Sequence, residues 1–94
     1  MTKSDIVKQI AEKTGIEKGI VSAIVENFME QVRSSMIHGE NIYLRGFGTF
    51  LLKQRAEKVA RNISRNTTIV IPAHTVPAFK PSPDFQKSIA IKSE

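Results

Sequence analysis

Residues 45–50 read Arg45-Gly46-Phe47-Gly48-Thr49-Phe50, in which two glycines flank one aromatic residue. A short stretch, Ile42-Tyr43-Leu44, precedes this run, and an apolar stretch, Phe50-Leu51-Leu52, follows from its last residue. Glycines between two such stretches are typical of a tight connection between paired strands. The run therefore predicts two strands joined by a short turn, with Phe47 packed in a core.

A basic and polar segment begins directly after these strands. From Lys53 to Thr68 there are five cations, one anion and few large apolar side chains. The apolar run Ile69-Val70-Ile71 predicts a return strand, so we expect the segment between the strands to be a β-ribbon with an Asn-rich turn. Such a ribbon has too little apolar surface to order itself, and its charge favours a polyanion as the ligand.

Helical patterns occupy the two ends of the chain. Thr2 and Asp5 have the spacing of a capping box, and Gly15 is placed to end the first helix. A longer helix is expected from about Lys18, where apolar residues recur at helical spacing. Ser82 followed by a first-turn proline predicts a short helix near the C terminus.

The expected fold class is α+β, in one domain that covers residues 1–94. Its parts are a helical hairpin base, a three-stranded antiparallel sheet, a protruding β-ribbon arm and a short C-terminal helix. We expect the boundaries at 1–40 for the hairpin, 41–53 and 69–80 for the sheet, 54–68 for the arm and 82–92 for the terminal helix.

Positive charge is concentrated in the second part of the chain. Of the net charge of +5, residues 1–40 contribute −1 and residues 41–94 contribute +6. The chain has no cysteine, which excludes disulfides, cysteine-based zinc sites and thiol nucleophiles. His38 and His74 lack a metal-ligand spacing, so we expect neither an enzyme nor a metal or cofactor site. No apolar run approaches the roughly 18 residues of a membrane span.

Several motifs together resemble the bacterial histone-like DNA-binding proteins, the family that comprises HU and integration host factor. The similarity rests on residues 45–50, Arg55-Ala56-Glu57, Arg61-Asn62 and Val76-Pro77-Ala78-Phe79-Lys80-Pro81. The resemblance implies an intertwined dimer, with two helical hairpins as a base, two sheets as a saddle and two arms that enclose the DNA minor groove. The homodimer is expected, and a heterodimer with a related chain is the alternative. The implied function is to bend and compact double-stranded DNA with low sequence specificity, in the nucleoid of the bacterial cytoplasm.

The resemblance also implies which residues meet DNA. The expected phosphate and minor-groove contacts are the cations Lys3, Arg45, Lys53, Arg55, Lys58, Arg61, Arg65 and Lys80. Asn62 is expected to hydrogen-bond minor-groove acceptors, and Gly46 and Gly48 to offer backbone amides to a phosphate. The alternative for each cation is a solvated surface charge, and the alternative for the glycines is turn geometry.

Two departures from the family pattern are visible. Where the family has proline after Arg-Asn at the arm tip, this chain has Ile63, which we expect to insert between base pairs as an apolar wedge. The alternative is that Ile63 is an exposed tip residue or a contact between molecules. Family members commonly carry lysines at four places where this chain has none, near Thr67, Val70, Pro83 and Gln86. A lower affinity or a shorter footprint is therefore expected.

Two other functions fit parts of the sequence. A helix-turn-helix regulator would use the two N-terminal helices around Thr14-Gly15 and would protect the major groove. The second helix is acidic, however, with Glu26 and Glu30, and the positive charge lies elsewhere in the chain. The other alternative is a dimeric interaction module for an acidic protein, which would compete with DNA without bending it.

Overall fold

The structure, a computed structural model, describes residues 1–62 and 64–92. The chain forms, in order, α1 (Lys3–Thr14), α2 (Lys18–Ile37), β1 (Ile42–Leu44), β2 (Gly48–Arg55), β3 (Lys58–Asn62), β4 (Thr67–Ile71), β5 (His74–Pro81) and α3 (Pro83–Lys92). Strands β1, β2 and β5 form an antiparallel sheet in the order β1-β2-β5. Strands β3 and β4 form a separate two-stranded antiparallel ribbon, which we call the arm. The predicted α+β fold class is confirmed.

The predicted capping box starts α1. The Thr2 hydroxyl accepts from the backbone N–H of Asp5 at 3.3 Å, and the Asp5 carboxylate accepts from the backbone N–H of Thr2 at 2.9 Å. Gly15 ends the helix with φ of +73°, and its N–H donates to the Ala11 carbonyl at 2.9 Å. Glu17 precedes α2 without a side-chain cap. Within the described ranges, no helix is long and apolar enough to cross a bilayer.

The turn between β1 and β2 explains both glycines of the central motif. Phe47 N–H donates to the Leu44 carbonyl at 3.0 Å, and Gly46 within this turn has φ of +81°, a conformation that favours glycine. Gly48 follows in β2, where an added Cβ would lie 2.5 Å from Cζ of Phe79. The first glycine therefore serves the turn, and the second allows close packing of two strands.

The bounds of the arm differ from the prediction. The sequence predicts the arm over 54–68 and places residues 69–71 in the sheet, but the structure has the arm over Lys58–Ile71. Strand β2 pairs with β5 as far as Arg55, which keeps residues 54 and 55 in the sheet. Pro72 has no amide hydrogen to continue a ladder, so the chain leaves the ribbon there and re-enters the sheet at β5.

A single chain has a small interior. Among the described residues, only Val7, Val21 and Met36 are buried apolar side chains. Val7 of α1 and Val21 of α2 are each only 3% exposed, so both helices contribute to the interior of the hairpin. The radius of gyration is 19.0 Å, whereas a compact chain of this length has about 12 Å. The chain is therefore extended, and many of its large apolar side chains are exposed.

Four phenylalanines attach α3 to the sheet. The ring centroid of Phe79 lies 4.9 Å from that of Phe50 and 5.2 Å from that of Phe47. Phe85 of α3 stacks on Phe47 at 5.4 Å. The Ser82 hydroxyl caps α3 by accepting from the Phe85 N–H at 3.2 Å. Phe47 packs against other aromatic rings, but 46% of the residue is exposed, so the predicted burial in a core is not reached within one chain.

Candidate nucleic-acid interface

Strand register gives the sheet a helix-facing side and an opposite side. Residues paired across antiparallel strands share a face, and successive residues of one strand alternate between faces. Phe50 lines a groove together with Met29 and Met36 of α2, so its face is the helix side. Lys53 and Arg55 fall on the other side of β2, and Lys80 of β5 joins them because it pairs with Thr49. These three cations form what we call the cationic face.

The cationic face has the electrostatic character of a polyanion site. Lys53, Arg55 and Lys80 are exposed, and none of them pairs with a carboxylate among the described residues. Glu57 is the only acidic residue in the sheet, the arm and their connections. Cations without carboxylate partners produce an uncompensated positive potential, which attracts a phosphate backbone.

A notch at one end of the cationic face brings further predicted residues together. It encloses about 470 Å³ and is lined in part by Tyr43, Arg45, Gly46, Gly48 and Lys80. Arg45 and Lys80 are the groups in it with the charge to hold a phosphate. Turn geometry accounts for Gly46 and strand packing for Gly48. A phosphate contact through the amides of these glycines stays a prediction.

The arm holds three of the predicted cations, and all three are exposed. Lys58 and Arg61 lie on opposite faces of β3, because they are an odd number of residues apart, and Arg65 lies in the tip. Every residue of β4 is exposed, so the ribbon has no core of its own. Cations on both faces suit a ribbon lying in a DNA groove, where phosphates flank it on both sides.

Hydrogen bonds within the arm tip position two of the predicted side chains. Asn62 Oδ1 accepts from the backbone N–H of Ser64 at 3.2 Å and from its hydroxyl at 2.8 Å. This bonding directs the oxygen into the turn and leaves the amide N–H groups, the donors that minor-groove acceptors require. Arg61 Nη2 donates to Asn66 Oδ1 at 3.1 Å. The predicted wedge, Ile63, lies outside the described residues.

Lys3 is the predicted residue that the structure places on the helical hairpin instead of the sheet or arm. Its Nζ donates to Glu26 Oε1 at 2.8 Å and so joins α1 to α2. The hydrogen bond and the positive charge of Lys3 lower the pKa of the Glu26 carboxyl. Lys3 is therefore already paired with a carboxylate, unlike the cations of the cationic face.

Two exposed residues on the cationic side were missed by the sequence prediction of the site. Tyr43 pairs with Thr49 and is 74% exposed, and His74 pairs with Arg55. Their side of the sheet follows only from the register of β1 and β5 on β2. Period-two alternation does not fix that register where apolar residues occupy both faces of a strand. The one signal in the sequence for this face was the alternation Lys53-Gln54-Arg55, which places two cations on the same side of a strand.

Comparison with known proteins identifies the family of this chain. The family model for bacterial DNA-binding proteins matches residues 1–90. Integration host factor subunit alpha of Actinobacillus pleuropneumoniae is 37% identical over 81 residues, which cover 86% of this chain and 83% of that protein. DNA-binding protein HU of Thermus thermophilus is 37% identical over 81 residues, covering 86% and 84%. An Anabaena HU–DNA cocrystal structure matches with a TM-score of 0.90 and 31% identity, covering 96% of this chain and 98% of that one.

These similarities extend over the whole architecture instead of a single motif. The matched residues 1–90 include the helical hairpin, the sheet, the arm and most of α3. The sequence relatives and the structural neighbour carry names from the same two groups of proteins. The chain therefore belongs to the bacterial DNA-binding protein family of HU and integration host factor.

Proposed function

We propose that this protein is an architectural DNA-binding protein, a dimer that bends and compacts double-stranded DNA. The observation that carries the proposal is the strand register, which puts Lys53, Arg55 and Lys80 on the side of the sheet opposite α2. The arm continues from the same two strands, so a duplex on the cationic face meets both. Phosphate contacts carry no sequence information, and low sequence specificity is therefore expected. The family is one of DNA-binding proteins, and no catalysis is involved.

A second copy of the chain would complete a core that one chain leaves open. A groove of about 660 Å³ lies between α2 and the sheet, and the large apolar side chains in its lining are those of Met29, Val32, Met36, Ile37, Phe50, Leu52 and Pro77. Met29 is 43% exposed in the single chain. Contiguous exposed apolar surface marks an interface, and a small core gains most from association. The homodimer is the proposed form, with a related chain as the alternative partner.

The proposed DNA ligand also indicates where in the cell the protein acts. The bacterial chromosome is double-stranded DNA that is bent and compacted. We therefore place the protein at the nucleoid in the cytoplasm. Members of this family include HU and integration host factor, and the proposal follows from that membership.

Binding is expected to weaken steeply with salt. The five cations from Lys53 to Arg65 give at most ten in a dimer. If about half of them touch phosphates, log K should fall against log salt with a slope of about −4 to −5, because each contact releases a counterion. A slope near zero would contradict the electrostatic account.

Deletion of the arm tests the proposal directly. Removing Lys58–Ile71 joins Glu57 to Pro72 and leaves a short loop between Arg55 and His74, which are already paired. We expect the variant to remain a dimer by sizing, but to bind a short duplex more weakly and to lose bending in an end-to-end fluorescence transfer assay. Unchanged affinity and bending in the armless dimer would disprove the proposed role of the arm.

The wedge is tested in the full-length protein. We propose that Ile63 inserts between base pairs, since an apolar side chain can unstack a step and kink the duplex. Ile63→Ala is expected to retain most of the affinity and to reduce the bend angle in the same assay. An unchanged bend angle would reject the wedge and leave the phosphate contacts of the arm in place.

Groove protection separates the alternatives. The helix-turn-helix alternative is not favoured, because the chain belongs to a family with another mode of binding and α2 carries Glu26 and Glu30. Chemical footprinting should show minor-groove protection, whereas a helix-turn-helix protein would protect the major groove. A dimer that binds DNA without bending it, and that prefers an acidic protein, would instead support the interaction module.

A further inference from the structure

His74 lies where the cationic face and the arm meet. It is the first residue of β5 and pairs with Arg55, the last residue of β2. Beyond this pair the chain leaves the sheet on both sides, through Ala56-Glu57 and Pro72-Ala73, to form the arm. His74 is exposed on the same side of the sheet as Lys53. A duplex held by both the cationic face and the arm therefore passes over this side chain.

A hydrogen bond fixes which ring nitrogen of His74 is available. Nδ1 lies 2.9 Å from the Pro72 carbonyl oxygen, and a carbonyl oxygen can only accept, so Nδ1 carries the hydrogen. In the neutral ring, Nε2 is consequently an acceptor, which phosphate oxygens repel. A second proton must enter at Nε2, and it turns this nitrogen into a positively charged donor.

The charged groups around His74 are nearly all positive. Arg55 lies directly opposite on β2, Lys53 lies diagonally opposite, and Lys58 begins the arm. Glu57, in the connection from β2 to the arm, is the only carboxylate of this region, and it forms no ion pair among the described residues. In a complex, DNA phosphates would lie against these cations and would attract a proton on Nε2. Proton uptake and DNA binding therefore favour each other.

We propose that His74 is a pH-dependent DNA contact, whose protonated Nε2 donates to a backbone phosphate at the root of each arm. This inference rests on the proposed function, because it needs a duplex against the cationic face. Duplex affinity then rises as the pH falls from 8 to 6, the range in which histidine changes charge. Two additional phosphate contacts per dimer also steepen the salt dependence, by about −1.8 in the slope of log K against log salt.

Four proteins test the inference, each measured for affinity to a short duplex by fluorescence anisotropy at pH 6 and pH 8 and constant ionic strength. They are the wild type, His74→Gln, His74→Arg and the control His38→Gln. His38 is the other histidine of the chain and lies at the C-terminal end of α2, outside the cationic face. Its Nδ1 lies 2.7 Å from the Ser34 carbonyl oxygen, so it has the same kind of hydrogen bond as His74.

We expect the wild type and His38→Gln to bind at least about threefold more tightly at pH 6 than at pH 8. His74→Gln should lose that difference, and His74→Arg should bind tightly at both pH values. A difference retained in His74→Gln, or lost in His38→Gln, contradicts the inference and leaves the proposed function intact. Wild-type protein that binds the duplex at neither pH overturns the proposed function, and this inference with it.

Discussion

Gly48 is a position at which no side chain fits. An added Cβ would lie 2.5 Å from Cζ of Phe79 and 2.6 Å from the carbonyl oxygen of Lys80. The carbonyl is backbone and cannot rotate away, so Gly48→Ala is expected to lower the free energy of unfolding by about 1–3 kcal/mol, a typical cost of overpacking. Urea titration at a fixed protein concentration measures the change.

Gly19→Ala is the matched control for that substitution. Its Cβ would meet only the flexible side chain of Glu17, at 3.2 Å, and alanine is favoured over glycine within a helix such as α2. The control should therefore be neutral or stabilising. Equal destabilisation in both variants would show that close strand packing is not the reason for glycine at position 48.

The types of residue at the candidate interface could be predicted from the sequence, but their neighbours could not. The cations Lys53 and Arg55 follow from composition and from alternation along one strand. That Lys80 and His74 share their face depends on the pairing of β2 with β5, a contact between distant parts of the chain. Lys3 illustrates the same limit, because its partner Glu26 lies on another helix.

At the level of the elements, the capping box makes the stability of α1 depend on pH. Hydrogen bonds from the backbone and side chain of Thr2 lower the pKa of Asp5 below its ordinary value of 3.8. Because folding lowers this pKa, the charged carboxylate stabilises the folded protein at pH values above the pKa of the unfolded state. This stabilisation is lost as the pH falls through the pKa of the folded state. Asp5→Asn is therefore expected to lower Tm at pH 7, and the difference from wild type should shrink towards pH 3.

Thermal unfolding followed by circular dichroism at several pH values checks this prediction. Glu12→Gln removes a carboxylate from the same helix outside the capping box, so it should change Tm little and without that pH trend. A Tm difference for Asp5→Asn that stays constant from pH 7 to pH 3 would be incompatible with a charged Asp5 in the cap.

The elements themselves were predictable, and the extent of the arm was not. Caps, helical periodicity, turn residues and alternation are local signals, and together they indicated each helix and the paired strands. Residues 69–71 are as apolar as a sheet strand, yet Ile69 and Val70 are 51% and 55% exposed in the arm. An apolar strand is buried within a chain only when the same chain supplies a surface that covers it. Here the ribbon extends away from the rest of the chain, so its apolar side chains stay exposed.

At the scale of the whole molecule, the open groove beside α2 predicts that folding depends on association. If a second copy covers the groove, Tm should rise with protein concentration, because association stabilises the folded state by mass action. Met29→Glu places a charge in the groove and is expected to give a monomer with a lower Tm. Calorimetry and sizing over a hundredfold range of concentration measure both effects.

Val59→Glu is the control for the association experiment. Val59 is 64% exposed on the arm, outside the groove, so a charge there should leave the dimer and its Tm nearly unchanged. A wild-type Tm that does not depend on concentration, together with a monomeric size, would exclude the groove as an interface between copies.

The short unpaired connections at the base of the arm have one further consequence. Arg55 and His74 are paired in the sheet, and the ribbon between them belongs to a separate sheet, so we expect this ribbon to be replaceable as a unit. Ribbons grafted from relatives at this junction are expected to alter the curvature of bound DNA while leaving the helical hairpin and the three-stranded sheet unchanged. Changes in the ribbon would thus affect how DNA is held without affecting the contact between the two subunits.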